Sequence, residues 1–152
     1  MGTYAKQTSV SADRSLTEIR NTIRRYGATD FAYLEREDIA AISFVAGNRH
    51  VRFVISFPSP GDREFTHSPT GLPRAANTQQ SEFEKAVRQR WRALGLVIKA
   101  KLEAVESQIA SFDEEFFAYL VLPNGQTVFE QVHDQVVQSI ETGATPRLQI
   151  EG

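Results

Sequence analysis

The sequence predicts an α+β fold, because its apolar residues follow two different periods in different parts of the chain. Between residues 30 and 57 they recur at every second position, the pattern of half-buried β-strands. Before and after that segment they recur at every third or fourth position, the pattern of amphipathic helices. Four helix starts are indicated by a hydroxyl residue followed three positions later by Glu, which together satisfy free amide groups at a helix N-terminus. These pairs are Ser15 with Glu18, Ser81 with Glu84, Ser111 with Glu114, and Thr127 with Glu130.

The first two elements predicted are a short helix and an antiparallel meander. The helix is expected to begin at Ser15 and to end at Gly27, since glycine readily adopts the left-handed conformation that ends helices. Three strands follow it, joined by turns at residues 37–38 and at Gly47-Asn48.

A long amphipathic helix is predicted from Ser81 to Phe112, packed on the sheet. Residues 58–80, which precede it, contain four prolines and no period, and are expected to form an irregular loop. The apolar face of the helix consists of Phe83, Val87, Leu94, Ile98, Leu102, Val105 and Ile109.

The C-terminal part of the chain is expected to add further helices. Residues 111–122 are ambiguous between helix and strand, and a helix followed by an extended segment is favoured. A last helix is predicted from Val128 to about Glu141, with Gly143 ending it. All 152 residues then form one domain, with residues 1–13 and 144–152 as loose tails.

The composition narrows the class of protein. With 41% hydrophobic and 24% charged residues the chain is typical of globular proteins. It contains no signal peptide and no apolar run long enough to span a bilayer, so a cytoplasmic location without a membrane partner is expected. The absence of cysteine excludes disulfides, thiolate nucleophiles and Cys-ligated zinc. Because the net charge is −2, any binding to nucleic acid would have to be local.

A row of cations on the long helix is the main functional candidate. This basic stripe lies opposite the apolar face, and the hairpin turn carries further cationic groups that could join it in neutralising phosphates. The predicted nucleic-acid-binding residues are Arg49, His50, Arg52, Lys85, Arg88, Arg92 and Lys99, of which the last four form the basic stripe. The alternative is a solubilising face balanced by Glu103 and Glu106.

Three further residues of the long helix are predicted to have structural roles. Arg90 and Lys101 project toward the apolar face, so their stems extend outward or they pair with acids. For Lys101 the expected partner lies in the first helix or in residues 112–115. Trp91 is expected in the core.

The irregular segment 62–71 is a second candidate site, because binding and catalytic groups are often placed on loops. Its candidate residues are Asp62, Arg63, Glu64, His67 and Thr70. Asp62, Glu64 and His67 could ligate a divalent metal, or Asp62, His67 and Ser68 could act as a hydrolytic triad. The other histidines are isolated and no nucleophile elbow is present, so a solvated loop pinned by Arg63 is favoured. No metal or cofactor is therefore predicted.

Several segments are similar to known sequences. They are Arg25–Ala28, Arg63–His67 with Pro69-Thr70, Arg90–Leu94 continuing into Leu96–Glu106, and Leu122–Gly125. Through them the chain resembles, over nearly its whole length, a group of small bacteriophage and prophage proteins with no established function. The resemblance implies the cytoplasm of a host cell and the needs of a phage: replication, recombination, packaging, or neutralising a host defence.

These observations favour a nucleic-acid-binding accessory protein for replication or recombination. An inhibitor or ligand-sequestering protein directed at host defence is the first alternative, and a metal-dependent hydrolase built on the 62–70 loop is the second. A binding protein is favoured over an enzyme. The candidate partners are DNA or RNA, a host protein or small signalling molecule, and a second copy of the chain.

Overall fold

The computed structural model describes residues 2–148, with side chains from residue 13 onward. The elements, in chain order, are α1 (Gly2–Arg25), β1 (Thr29–Glu35), β2 (Ile39–Ala46), β3 (Arg49–Ser56), α2 (Arg63–Thr66), α3 (Ala76–Glu106), α4 (Phe112–Phe116), a 3₁₀ turn (Phe117–Tyr119) and α5 (Val128–Thr142). The α+β class is confirmed, with the N-terminal helix, the meander, the long helix and the C-terminal helices in the predicted order.

The three strands form one antiparallel sheet in the order β1-β2-β3, as the period-two pattern predicts. Register places Phe44 opposite Val51, and both side chains are buried on the same face. Gly47 begins the β2–β3 turn with a positive φ of 60°, a conformation that favours glycine. On the other face Leu34 and Val54 are more than half exposed, so the sheet has one buried and one open face.

Helix α3 packs on the buried face, as predicted. Its buried residues Phe83, Val87, Trp91, Leu94, Ile98 and Leu102 belong to one cluster with those of the sheet. Trp91 is only 1% exposed, and its ring contacts those of Tyr33 and Phe57 at centroid distances of 5.9 Å and 5.7 Å. Trp91 is therefore a core residue.

Helix α1 lies beside α3 and closes the same core. Ile19 and Ile23 of α1 are both buried in the cluster that α3 and the sheet share. At Gly95 of α3 an added methyl group would lie 3.6 Å from Ile19 Cγ1, an ordinary van der Waals distance, so α1 passes close to α3 at this point. The two helices form one layer and the sheet forms the other.

The predicted start of the first helix is wrong. The helix begins at Gly2 rather than at Ser15, so the described part of the segment predicted as a loose tail is helical. Between residues 3 and 26 the chain has neither proline nor glycine, and nothing in that stretch stops a helix. The pairing of Ser15 with Glu18 therefore lies inside a helix.

Both ends of the long helix were predicted too far along the chain. Ser81 lies inside α3, which begins at Ala76, and its hydroxyl donates to the Thr78 carbonyl at 3.3 Å. At the other end Gln108 has a positive φ of 64°, which breaks the helix after Glu106. Ile109 is consequently 83% exposed instead of lying on the apolar face.

The two N-caps predicted in the C-terminal part of the chain are confirmed. Ser111 Oγ accepts from the Glu114 amide at 3.1 Å, and Thr127 Oγ1 accepts from the Glu130 amide at 3.2 Å. Helix α5 ends at Gly143, whose φ is 76°. In each of these caps the hydroxyl and the amide are only three residues apart.

The segment between α4 and α5 adds one antiparallel bridge to strand β3. After the 3₁₀ turn the Val121 amide donates to the His50 carbonyl at 2.8 Å, and Leu120 pairs with Val51. In α5, Val128 and Val132 are buried, whereas Val136 is 37% and Ile140 76% exposed. Residues 143–148 form no helix or strand, and the rest of the predicted C-terminal tail lies outside the described residues.

Candidate nucleic-acid interface

A groove of about 690 Å³ lies between α1 and α3. Buried Ile19 and Trp91 contribute to its lining, and the other lining residues are mostly polar or charged. The charged ones are Arg14 and Glu18 of α1, and Lys85, Arg88, Arg92 and Lys99 of α3. Five cations and one carboxylate give this α1–α3 groove a formal charge of +4, in a chain with a net charge of −2.

Helical periodicity places the basic stripe in the groove. Its four residues are separated by three, four and seven positions, which keeps them on one face of α3. Helix α1 runs beside that face, and its Arg14 lines the same groove. Cations from two helices therefore face one space.

The groove cations are not engaged in close ion pairs with the described carboxylates. Among the side chains that the structure describes, none of the five lies within 4.0 Å of a carboxylate, whereas four other Lys or Arg side chains do. Glu18 is the one acid in the lining. Clustered charge of one sign in a cleft raises the local concentration of counter-ions, so the groove can attract anions.

The cations of the hairpin are placed differently, because they are paired with acids. Arg49 donates to both carboxylate oxygens of Asp113, from Nε at 2.8 Å and from a terminal nitrogen at 2.9 Å. This hydrogen bonding holds the pKa of Asp113 below its usual value. Arg52 donates to the Gly125 carbonyl at 2.9 Å and to Glu130 at 3.2 Å. Both arginines tie the hairpin to the C-terminal segments.

Arg49 and His50 line a second groove, of about 410 Å³, whose other walls come mainly from the C-terminal part of the chain. Leu120, Val128 and Val132 make much of this lining apolar. Neither hairpin residue lines the α1–α3 groove. The structure therefore does not combine the seven predicted residues into one site, but places the four stripe residues together with Arg14.

The 62–71 loop is folded around its own hydrogen bonds. Phe65 of α2 is buried against Phe83, with ring centroids 5.5 Å apart, and anchors the loop to α3. The Ser59 amide donates to Asp62 at 3.0 Å, and Arg74 donates to the Glu64 carbonyl at 3.3 Å. None of the loop's candidate residues lines either of the two grooves described above.

The contacts of the loop give no support to catalysis there. His67 Nδ1 lies 2.8 Å from Thr66 Oγ1, whereas the Ser68 hydroxyl pairs with that of Thr70 at 2.9 Å. Among the described residues no three His, Asp or Glu side chains are grouped so that they could hold one metal ion. The histidine and serine required for a triad are therefore engaged with other partners.

Two cations at the edge of the α3 core have structural contacts: Lys101 pairs with an acid, as predicted, whereas Arg90 bonds to a backbone carbonyl. Lys101 Nζ lies 3.3 Å from Glu115 Oε1, within the segment predicted to supply its partner, and 5.1 Å from the centre of the Tyr119 ring. Arg90 Nε donates to the Ser56 carbonyl at 3.0 Å. These contacts fasten α3 to α4 and to the end of β3.

Arg14 is the one groove cation that is not among the predicted nucleic-acid-binding residues. It lies one position before the predicted helix start at Ser15, and so was not assigned to any element. The lack of proline and glycine between residues 3 and 26 could have indicated that Arg14 belongs to the first helix. In that longer helix Arg14 lies one turn from Glu18.

Comparisons of the chain with protein-family models, curated proteins and solved structures found no match in any of the three. Within the described residues, no helix combines the length and the apolar character needed to cross a bilayer.

Proposed function

We propose that the protein is a nucleic-acid-binding accessory protein that holds the phosphate backbone in the α1–α3 groove. The observation that carries the proposal is the grouping of five cations, without carboxylate partners among the described side chains, along one groove. Arginine and lysine contacts to phosphate release condensed counterions, which favours binding whatever the base sequence. A role in phage replication or recombination comes from the sequence resemblance.

The size of the groove supports a second candidate function. A volume of about 690 Å³ lies within the range of small-molecule sites, which is roughly 300–1,000 Å³. A small ligand with several phosphates could be sequestered there, as the alternative of an anti-defence protein requires. Inorganic triphosphate is a suitable probe, because it carries the charge without bases or sugars.

The test is fluorescence anisotropy with labelled DNA and RNA oligomers across a salt series, with triphosphate as competitor. Tighter binding of the oligomers supports the first proposal, and tighter binding of triphosphate supports the second. If neither ligand binds at low salt, both proposals fail.

Charge reversal at Arg88 and Arg92 locates the site. We expect Arg88→Glu combined with Arg92→Glu to abolish binding, while exposed positions of this kind change stability by only about ±0.5 kcal/mol. Arg24→Glu combined with Arg36→Glu is the matched control, because it changes net charge equally at exposed positions outside the groove. Equal loss of binding in both variants would show that only the overall charge matters.

A further inference from the structure

We infer that the α1–α3 groove takes a single strand of nucleic acid, held by its backbone, in preference to a duplex. The inference rests on the proposed function and specifies its substrate class. It comes from the position of the basic stripe relative to α1, from the length of the stripe, and from the burial of Trp91.

The packing of α1 against α3 limits how α3 could approach a duplex. The major groove is about 12 Å wide and admits one helix of about 10–12 Å diameter. The stripe of α3 faces a groove whose other wall is α1. Two packed helices with axes about 8–10 Å apart are together about 20 Å wide, which is too wide to enter. A duplex could therefore lie only across the outer edges of the α1–α3 groove, without entering it.

The basic stripe is an extended row of cations along the axis of α3. Lys85 and Lys99 are fourteen residues apart in α3, which at about 1.5 Å per residue is a distance of about 21 Å along the axis. Arg88 and Arg92 lie between them, and Arg14 faces them from α1. A row of cations along one groove matches one chain of consecutive phosphates.

The aromatic content of the groove lining bears on how bases would be recognised. Proteins that bind single strands usually stack bases on exposed aromatic rings. Among the described lining residues Trp91 is the one aromatic, and it is buried against Tyr33 and Phe57. The described lining of the groove therefore has no exposed ring on which a base could stack, so recognition is by the backbone and tolerates any sequence.

These features give a measurable salt dependence. Each phosphate neutralised on a single strand contributes about −0.7 to the slope of log affinity against log salt. Five cations then give a slope of about −3.5, or a loss of about a hundredfold in affinity between about 50 and 200 mM salt.

The experiment compares labelled oligo-dT, oligo-dA and a duplex of the same length across that salt range. We expect the two single strands to bind alike, both more tightly than the duplex, with slopes near −3.5. Lys99→Gln should reduce the magnitude of the slope by about 0.7, while Arg36→Gln, outside the groove, should leave it unchanged.

The possible failures are distinct. Tighter binding of the duplex overturns the single-strand inference but leaves nucleic-acid binding in place. A large difference between oligo-dA and oligo-dT overturns recognition by the backbone alone. If no oligomer binds at low salt, the proposed function itself fails.

Discussion

Two glycines of this chain should respond in opposite ways to the same substitution. Gly95 lies inside α3, where a methyl group would meet Ile19 Cγ1 at 3.6 Å, an ordinary van der Waals distance. Gly125 has a φ of 87° and open space around it. Gly95→Ala should therefore stabilise the protein, and Gly125→Ala should destabilise it.

The magnitudes follow from helix propensity and backbone strain. Alanine is favoured over glycine in a helix interior by about 0.8–1.0 kcal/mol, and the partly buried methyl group at position 95 adds a few tenths. We expect a gain of about 1–1.5 kcal/mol, or about 2–6 °C in melting temperature for a chain of this size. At Gly125 an L-residue in the left-handed region costs about 1–2 kcal/mol.

Urea unfolding followed by circular dichroism measures both changes. The slope of free energy against urea concentration should stay constant, so that a shift in midpoint reports stability alone. A loss of stability in Gly95→Ala would mean that α1 and α3 pack more closely at this point, and would refute this account of the groove.

Two further predictions concern the core and the hairpin. Ile98→Ala should cost about 2–5 kcal/mol, because Ile98 is 0% exposed and its removal leaves a cavity; an unchanged urea midpoint would contradict the assignment of the α3 core face. The lowered pKa of Asp113 means that its contribution to stability is present above its unfolded pKa of about 4 and is lost as pH falls through the folded value. Asp113→Asn should therefore weaken the acid dependence of unfolding below about pH 4, and an identical dependence in both proteins would show that the pair with Arg49 does not form in solution.

The kinds of elements could be predicted from the sequence because their signals are local. Alternation in residues 30–57, the Gly47 turn and the caps at Ser111 and Thr127 each involve groups only a few residues apart. The same locality explains the errors. The Ser-x-x-Glu pattern at Ser81 also fits a helix interior, and no nearby residue marks the true start at Ala76.

The candidate site was predictable in part. The basic stripe follows from helical spacing along one segment, which the sequence contains in full. Whether a cation has an acidic partner depends on residues far along the chain. Asp113 lies 64 positions after Arg49, and Glu130 lies 78 positions after Arg52.

The sequence by itself determined the order of helices and strands and the face of α3 that carries the cations, because period and capping operate within one or two turns. Only the tertiary structure decided that the stripe faces α1 and shares a groove with Arg14. It also decided that the hairpin arginines are engaged by acids of the C-terminal part. These outcomes depend on how elements that are far apart in the chain pack together, as α1 and α3 do where Ile19 lies beside Gly95.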